Sequence, residues 1–232
     1  MSIVASIRGQ LAPIHRQGYG FIAASAVVSV ALFFAAEPLG WLGTVVTAWM
    51  VYFFRDPTRV TPLAEGLFVA PADGRVSAVG RAVPPIELGL GDQARPRISI
   101  FMSVFDCHIN RSPMAGRIER IVYRPGKFLN ADLDKASEEN ERNAFIITGS
   151  AGRIAVVQVA GLIARRIVAF AHEGQHIGAG QRIGMIRFGS RVDVYLPDDV
   201  APLVSRGQMA IAGETVIADA RRHDNAQTYR AS

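Results

Sequence analysis

Two kinds of hydrophobic pattern divide this chain. Residues 19–36, YGFIAASAVVSVALFFAA, and 38–54, PLGWLGTVVTAWMVYFF, carry no charge, and each is near the shortest length with which a helix crosses a bilayer. Glu37-Pro38-Leu39-Gly40 between them is a turn signal. From residue 66 onward the apolar positions fall instead in short runs broken by Gly and Pro. They predict strands over 67–70, 75–79, 98–104, 116–123, 144–148, 154–159, 166–169, 182–186, 192–196, 209–211 and 215–218. So many short strands, with no long helical pattern between them, argue for a mainly β domain of the sandwich or barrel kind. Residues 129–140 lack strand formers and predict a helical turn or two.

The first pattern has several physical readings. Two uncharged helices fit the core of a soluble protein, and an apolar N-terminal run fits a cleaved signal peptide. The run is long for a signal peptide and is followed directly by another. Arg8 and Arg16 before the pair, Arg55 and Arg59 after it, and Trp41, Trp49 and Tyr52 within it read as a membrane anchor. The simplest topology is a hairpin with both ends on the cytoplasmic side. Asp56-Pro57 stops the second helix, because proline disfavours the helical conformation of the residue before it. The organisation expected is a membrane-associating helical hairpin over 1–60, a β-rich domain over 61–220 and a polar tail over 221–232.

Charge narrows the partners. The 25 Lys+Arg exceed the 20 Asp+Glu, with a pI near 9.9, which suits anionic lipid or phosphorylated small molecules. No Lys/Arg-rich block is interleaved with aromatics, so no nucleic-acid partner is expected. Cys107 is the single cysteine and excludes an intrachain disulfide. His172 and His176 have no metal-ligand spacing with a cysteine or a third histidine, so no metal is assigned.

Four polar segments interrupt the strand pattern. The stretch 185–197, MIRFGSRVDVYLP, reads as a strand entering and a strand leaving Gly189-Ser190. Alone, such a pair is a bulge or a turn. Pro71-Ala72-Asp73-Gly74 places an acid at a turn between two strands. Asp106, His108, Asn110 and Arg111 cluster after the strand at 98–104, more polarity than a plain strand end requires. Residues 123–131, YRPGKFLNA, and 140–143, NERN, read as polar loops of mixed charge.

In this order, and together with FFRDPTR at 53–59, these segments resemble the phosphatidylserine decarboxylases in their short bacterial form, over residues 53 to 197. The resemblance implies a compact barrel-sandwich β fold similar to lipoyl-carrier domains. It implies that the Gly189–Ser190 bond breaks itself, giving chains 1–189 and 190–232 that stay together as a heterodimer, and that Ser190 becomes a pyruvoyl group. That group would form a Schiff base with the serine amine of phosphatidylserine and serve as the electron sink for decarboxylation to phosphatidylethanolamine. No pyridoxal phosphate is then needed. Asp73 is carried over as the aspartate of self-processing. His108 is carried over as proton donor or substrate-orienting group. Lys127, Arg142 and Arg111 are the residues expected to hold the lipid phosphate.

One departure matters. Longer members carry D-x-H-x-x-H-x-P, and Arg111 stands here at the second histidine. A guanidinium holds its proton, so the base for self-cleavage is left open between His108, another histidine such as His172 or His176, and strain at Gly189. The location implied is the cytoplasmic membrane, with the catalytic domain facing the cytoplasm. An ether-linked phosphoserine lipid would present the same head group. A membrane-anchored serine hydrolase would keep Ser190 intact, but no G-x-S-x-G surrounds it. A lipoyl-like carrier would need a modifiable lysine, and Lys127 and Lys135 are the two lysines present.

Overall fold

The computed structural model of the chain describes residues 12–126, 140–161, 166–187 and 190–222. Its internal contacts divide it into two units, Met1–Thr58 and Arg59–Ser232. The first holds α1 (Tyr19–Ala35) and α2 (Glu37–Phe53), separated by Ala36 in an extended conformation. Pro38 lies in the first turn of α2, where its missing N–H breaks no helical bond. The helices meet through small and hydroxylated residues. A side chain at Gly43 would collide with Ser29, and the Thr47 hydroxyl bonds those of Ser25 and Ser29 at 2.8 and 3.0 Å. Val27, Val28, Val30, Phe34, Leu42 and Val45 are exposed. Hydroxyls between the helices and apolar side chains outside them reverse the order of a helix pair in water. The segment Arg16–Ala35 is long and apolar enough to cross a membrane.

The second unit is mainly β. Its strands are β1 (Leu67–Val69), β2 (Gly74–Ala82), β3 (Arg95–Met102), β4 (Ile109–Arg111), β5 (Gly116–Arg124), β6 (Arg142–Gly149), β7 (Gly152–Ala160), β8 (Ile167–Ala169), β9 (His176–Ile177), β10 (Arg182–Ile186), β11 (Ser190–Tyr195), β12 (Met209–Ala210) and β13 (Val216–Asp219). Eight of them form a curled antiparallel sheet in the order β12-β2-β3-β11-β7-β6-β5-β9, a half-barrel. A three-stranded sheet, β4-β10-β8, and a two-stranded one, β1-β13, complete the unit among the described residues.

Period-two alternation along β11 sorts the two faces of the large sheet. Val192 and Val194 join Ile98, Ile100, Met102, Val156, Ile183 and Ile186 in the main core. Ile183 and Ile186 come from β10, so the three-stranded sheet covers this inner face. Tyr195 lies on the other face, packed with Leu88, Leu90, Val157 and Val159.

The predicted mainly β domain and N-terminal helix pair are both present. The strand expected over 98–104 ends earlier, at Met102, because the Asp106 carboxylate accepts the Ser103 N–H at 2.7 Å and turns the chain. The chain then re-enters as β4. Neither β4 nor β9 was expected from the pattern, because β4 lies in the polar segment after His108 and β9 between Gly174 and Gly178, with no apolar run to mark either. The helical turn expected over 129–140 falls largely on residues outside those described, as do Lys127, Gly189 and most of the polar tail.

Candidate active site

The crossover from β10 to β11 carries the chain from the small sheet to the large one and delivers Ser190 as the first residue of β11. Ser190 pairs with Met102 of β3 on one side and Ala160 of β7 on the other. Its parity with Val192 and Val194 aims its side chain at the inner face. The residue is fully buried, and among the described residues its Oγ has no hydrogen-bond partner. A buried hydroxyl without a partner is costly and uncommon.

Asp73 reaches the same end of the sheet from the turn before β2. Gly74 has φ +144, and a Cβ there would press on the carbonyl oxygen of Phe101, so the turn lies flat against β3. Arg75 opposes Phe101, which opposes Arg191, and Ser190 follows one step on, beside Met102. β3 therefore separates the Asp73 turn from Ser190, a separation of about 10 Å for two strand spacings. The Asp73 carboxylate is held from two directions, by Arg59 at 2.5 Å and by the N–H of Ala212 at 2.7 Å.

His108 is fully buried immediately before β4. Its Nδ1 lies 2.9 Å from the carbonyl oxygen of Asp106. A carbonyl only accepts, so Nδ1 carries a proton, and in the neutral ring the lone pair is on Nε2. The carbonyl of His108 accepts from Ile186 N at 3.3 Å, which ties it to the strand that leads into the Gly-Ser crossover. Asp73, His108 and Ser190 thus share one end of the fold, without a direct hydrogen bond from Ser190 to either of the others.

The remaining sequence candidates have other surroundings. Arg111 is buried and donates to the carbonyl of Gly180 at 2.8 Å, while its own N–H donates to the carbonyl of Pro71. Arg142 is buried in an ion pair of 2.5 Å with Glu87. It opposes Val159, on the face of the sheet away from Ser190. His176 is on β9, four places from β11 in the sheet order. His172 sits in the turn before it, its N–H given to Gln175. Among the described residues no group of three His, Cys, Asp or Glu side chains is arranged to hold a metal. A cavity of about 370 Å³ lined by Val79, Arg81, Pro96, Asp198 and Val204 lies toward the opposite end of β3 and contains none of the candidates.

A further polar feature was not anticipated. Asn143 donates to Gln158 Oε1 at 2.9 Å, Gln158 donates to Asn110 Oδ1 at 2.7 Å, and Asn110 Nδ2 lies 3.6 Å from the sulfur of Met102. All three amides are buried. The chain of amides runs from β6 through β7 to β4 and ends on the cross-strand neighbour of Ser190. Its signal in the sequence is a lone glutamine within the apolar run IAVVQVA. Nearby, Tyr123 donates to Glu141, and partial burial together with that carboxylate pushes the Tyr123 phenol above its ordinary range.

Comparison with known proteins adds two findings. A family model described as phosphatidylserine decarboxylase matches residues 46–218. A phosphatidylserine decarboxylase proenzyme of Nitrobacter winogradskyi is 60% identical over 228 residues, which cover 98% of this chain and 92% of that protein.

Proposed function

The chain belongs to the phosphatidylserine decarboxylase family and is a carboxy-lyase, and from that premise we propose that it builds its own reactive centre by breaking the Gly189–Ser190 bond. It then converts phosphatidylserine to phosphatidylethanolamine and carbon dioxide, a step of phospholipid synthesis. The observation that carries this reading is the Ser190 hydroxyl, buried and, among the described residues, without a partner at the start of an interior strand.

In self-cleavage the Ser190 Oγ adds to the Gly189 carbonyl carbon while its proton passes to a base. The Gly189 C–N bond breaks and the Gly189 acyl group becomes an ester on Ser190. Loss of the Ser190 α-proton with departure of the Gly189 carboxylate leaves a dehydroalanine. Its imine tautomer takes up water, releases ammonia and leaves a ketone at residue 190. His108, through Nε2, and Asp73 are the groups assigned to these proton movements. A ketone at position 190 also fits the surroundings, because no described group would lose a hydrogen bond when the hydroxyl disappears. A pyruvoyl carbonyl supplies the electron sink for the pair left by departing carbon dioxide. Met102, Ala160 and Val192 make the surroundings of that position largely apolar. His108 delivers the proton that the substrate's α-carbon then takes.

The fold supports two chains that stay together. Ser190 is the first residue of β11, so cleavage on its N-terminal side leaves β11 paired to β3 and β7 over six residues on each side. Exposed valine, leucine and phenylalanine side chains on α1 and α2 support association with the cytoplasmic membrane, and the flanking arginines favour a cytoplasmic location for the chain that follows them.

The intact mass of the purified protein tests the reading, with Ser190→Ala as control. Two chains are expected, the smaller beginning at residue 190 and carrying a ketone in place of its amine, whereas the control stays whole. Active protein running as one chain of full mass would overturn it. The mass of the lipid product separates diacyl from ether-linked substrate.

A further inference from the structure

We propose that Asn110 is a further catalytic residue of self-cleavage, its side-chain amide donating a hydrogen bond to the Ser190 Oγ, an assignment that rests on Ser190 being the reactive centre. Strand register puts the amide over that residue. Ser190 lies between Met102 of β3 and Ala160 of β7, and Val192, the next inner-face residue of β11, lies between Ile100 and Gln158. Met102 and Gln158 therefore stand on either side of β11, two strand spacings or about 10 Å apart at the backbone. The Asn110 amide reaches both. Its Oδ1 accepts from Gln158 Nε2 at 2.7 Å, and its Nδ2 lies 3.6 Å from the Met102 sulfur. A group that touches side chains of β3 and β7 on the inner face lies across β11, and the β11 side chains on that face there are Ser190 and Val192. The Nδ2 end is on the Met102 side, in the row of Ser190.

The partners of the amide fix which way it points. Gln158 Oε1 takes the Asn143 amide at 2.9 Å, so Gln158 offers Nε2 to Asn110 Oδ1 and Nδ2 is turned toward Met102. Gly184 opposes Asn110 in the β4–β10 pair, and a Cβ there would come within 2.9 Å of Gln158 Nε2, so β10 closes directly over the amides. Asn110 is fully buried. A thioether is a weak acceptor on a flexible side chain. It holds the amide in place and yields to an oxygen. Rotation about the Ser190 Cα–Cβ bond moves Oγ between staggered positions, and in the reacting state Oγ takes the place of the sulfur as acceptor.

The chemistry gives such a donor two tasks on one atom. In the attack, the Oγ proton passes to His108, one Oγ lone pair forms the bond to the Gly189 carbon, and the other accepts from Asn110. Negative charge that gathers on Oγ as its proton leaves is stabilised by a donor already in position. In the elimination, the Ser190 α-proton is removed and its electron pair forms the Cα–Cβ double bond. The Cβ–Oγ bond then breaks with its electrons on Oγ, now an oxygen of the Gly189 carboxylate. Charge appears on the same oxygen a second time, and the same N–H receives it. The amide itself moves no proton, a task left to His108, two residues earlier and also fully buried. Once Oγ has departed, Nδ2 returns to the Met102 sulfur.

The test follows self-cleavage of full-length chains by intact mass. Asn110→Leu removes the donor and is expected to slow cleavage by about 10²-fold or more, the scale for one donor on a developing charge. Asn143→Leu is the matched control, because it breaks another bond of the same buried chain and leaves Nδ2 where it is. It is expected to cleave at least about tenfold faster than Asn110→Leu. Asn110→Asp keeps the size of the side chain and the acceptor for Gln158, exchanges the donor for an acceptor, and is expected to be as slow as Asn110→Leu. Thermal unfolding of each change in the Ser190→Ala chain shows which variants fold, and Asn110→Asp carries the comparison if Asn110→Leu does not. Equal slowing in the Asn110 and Asn143 variants would mean that the amides serve only packing, and wild-type cleavage in Asn110→Asp would mean that no donor is needed. Either result overturns the proposal. Wild-type protein that never cleaves overturns the Ser190 reading first, and the assignment of Asn110 with it.

Discussion

Arg59 and Asp73 form an ion pair of 2.5 Å, while the second oxygen of Asp73 takes the N–H of Ala212 at 2.7 Å. The two grips come from opposite sides of the proposed cleavage point, Arg59 from the larger chain and Ala212 from the smaller. Asp73→Asn keeps the size of the side chain and removes its charge. Self-cleavage is expected to slow by about 10²- to 10⁴-fold, the range of a positioned proton-transfer group. A time course of chain masses measures it, and cleavage at the wild-type rate would take Asp73 out of the process. Arg59→Gln releases only one of the two grips and is expected to slow cleavage less than Asp73→Asn does.

Gln158 is the middle link of the buried amide chain. Replacing it with leucine leaves Asn110 Oδ1 and the Asn143 amide without their partners in a region closed to solvent. Two orphaned groups at about 1–3 kcal/mol each predict a loss of about 2–6 kcal/mol. Urea unfolding of Gln158→Leu in a Ser190→Ala chain, which stays whole, measures this. A loss below about 1 kcal/mol would mean that water replaces the missing amide.

How far the sequence revealed this molecule depends on the length scale of each signal. Long uncharged runs and alternating strands are repeated patterns, so α1, α2 and the strands of the large sheet other than β9 were readable. β4 has three residues and β9 two, and their pairing is set by partners far along the chain. Ser190, Asp73 and His108 could be named from local strings. That β3 lies between the Asp73 turn and Ser190 is a matter of register, which no local string carries. Arg142 shows the same limit: its segment was read as a loop near the site, and the alternation of β6 puts its side chain against Glu87 on the other face.

Gly74 turns the Asp73 loop onto β3 with φ +144 and with no space for a side chain beside the Phe101 carbonyl. Alanine there must strain the backbone or push the turn away from β3. Gly74→Ala is expected to lower stability by about 1–3 kcal/mol and, by displacing Asp73, to slow self-cleavage as well. Thermal unfolding and the chain-mass time course read the two effects separately. A stable variant that cleaves at the normal rate would show that the turn tolerates displacement.

The last strand carries a pH-dependent clasp. Asp219 ends β13, opposite Leu67 of β1, and its carboxylate accepts from Arg221 Nε at 2.9 Å, from Arg221 Nη2 at 2.8 Å and from Arg221 N at 3.0 Å. The Arg221 guanidinium lowers the carboxyl pKa from 3.8 to about 2. A carboxyl with a depressed folded-state pKa binds its proton more readily in the unfolded chain. Its contribution is therefore complete above about pH 4 and is lost as the pH falls through 2. Because Arg221 is more than half exposed, salt screens the pair and the contribution is modest. Stability of the Ser190→Ala chain measured from pH 6 to pH 2 is expected to fall more gently in Asp219→Asn, with the two curves converging at the acid end. The difference should shrink in about 1 M salt, where screening extends over only a few ångströms. Parallel curves across the whole range would mean that the clasp contributes nothing to holding β13 on β1. In the proposed two-chain enzyme β13 would belong to the smaller chain, so the same titration should appear as loosened retention of that chain below about pH 4.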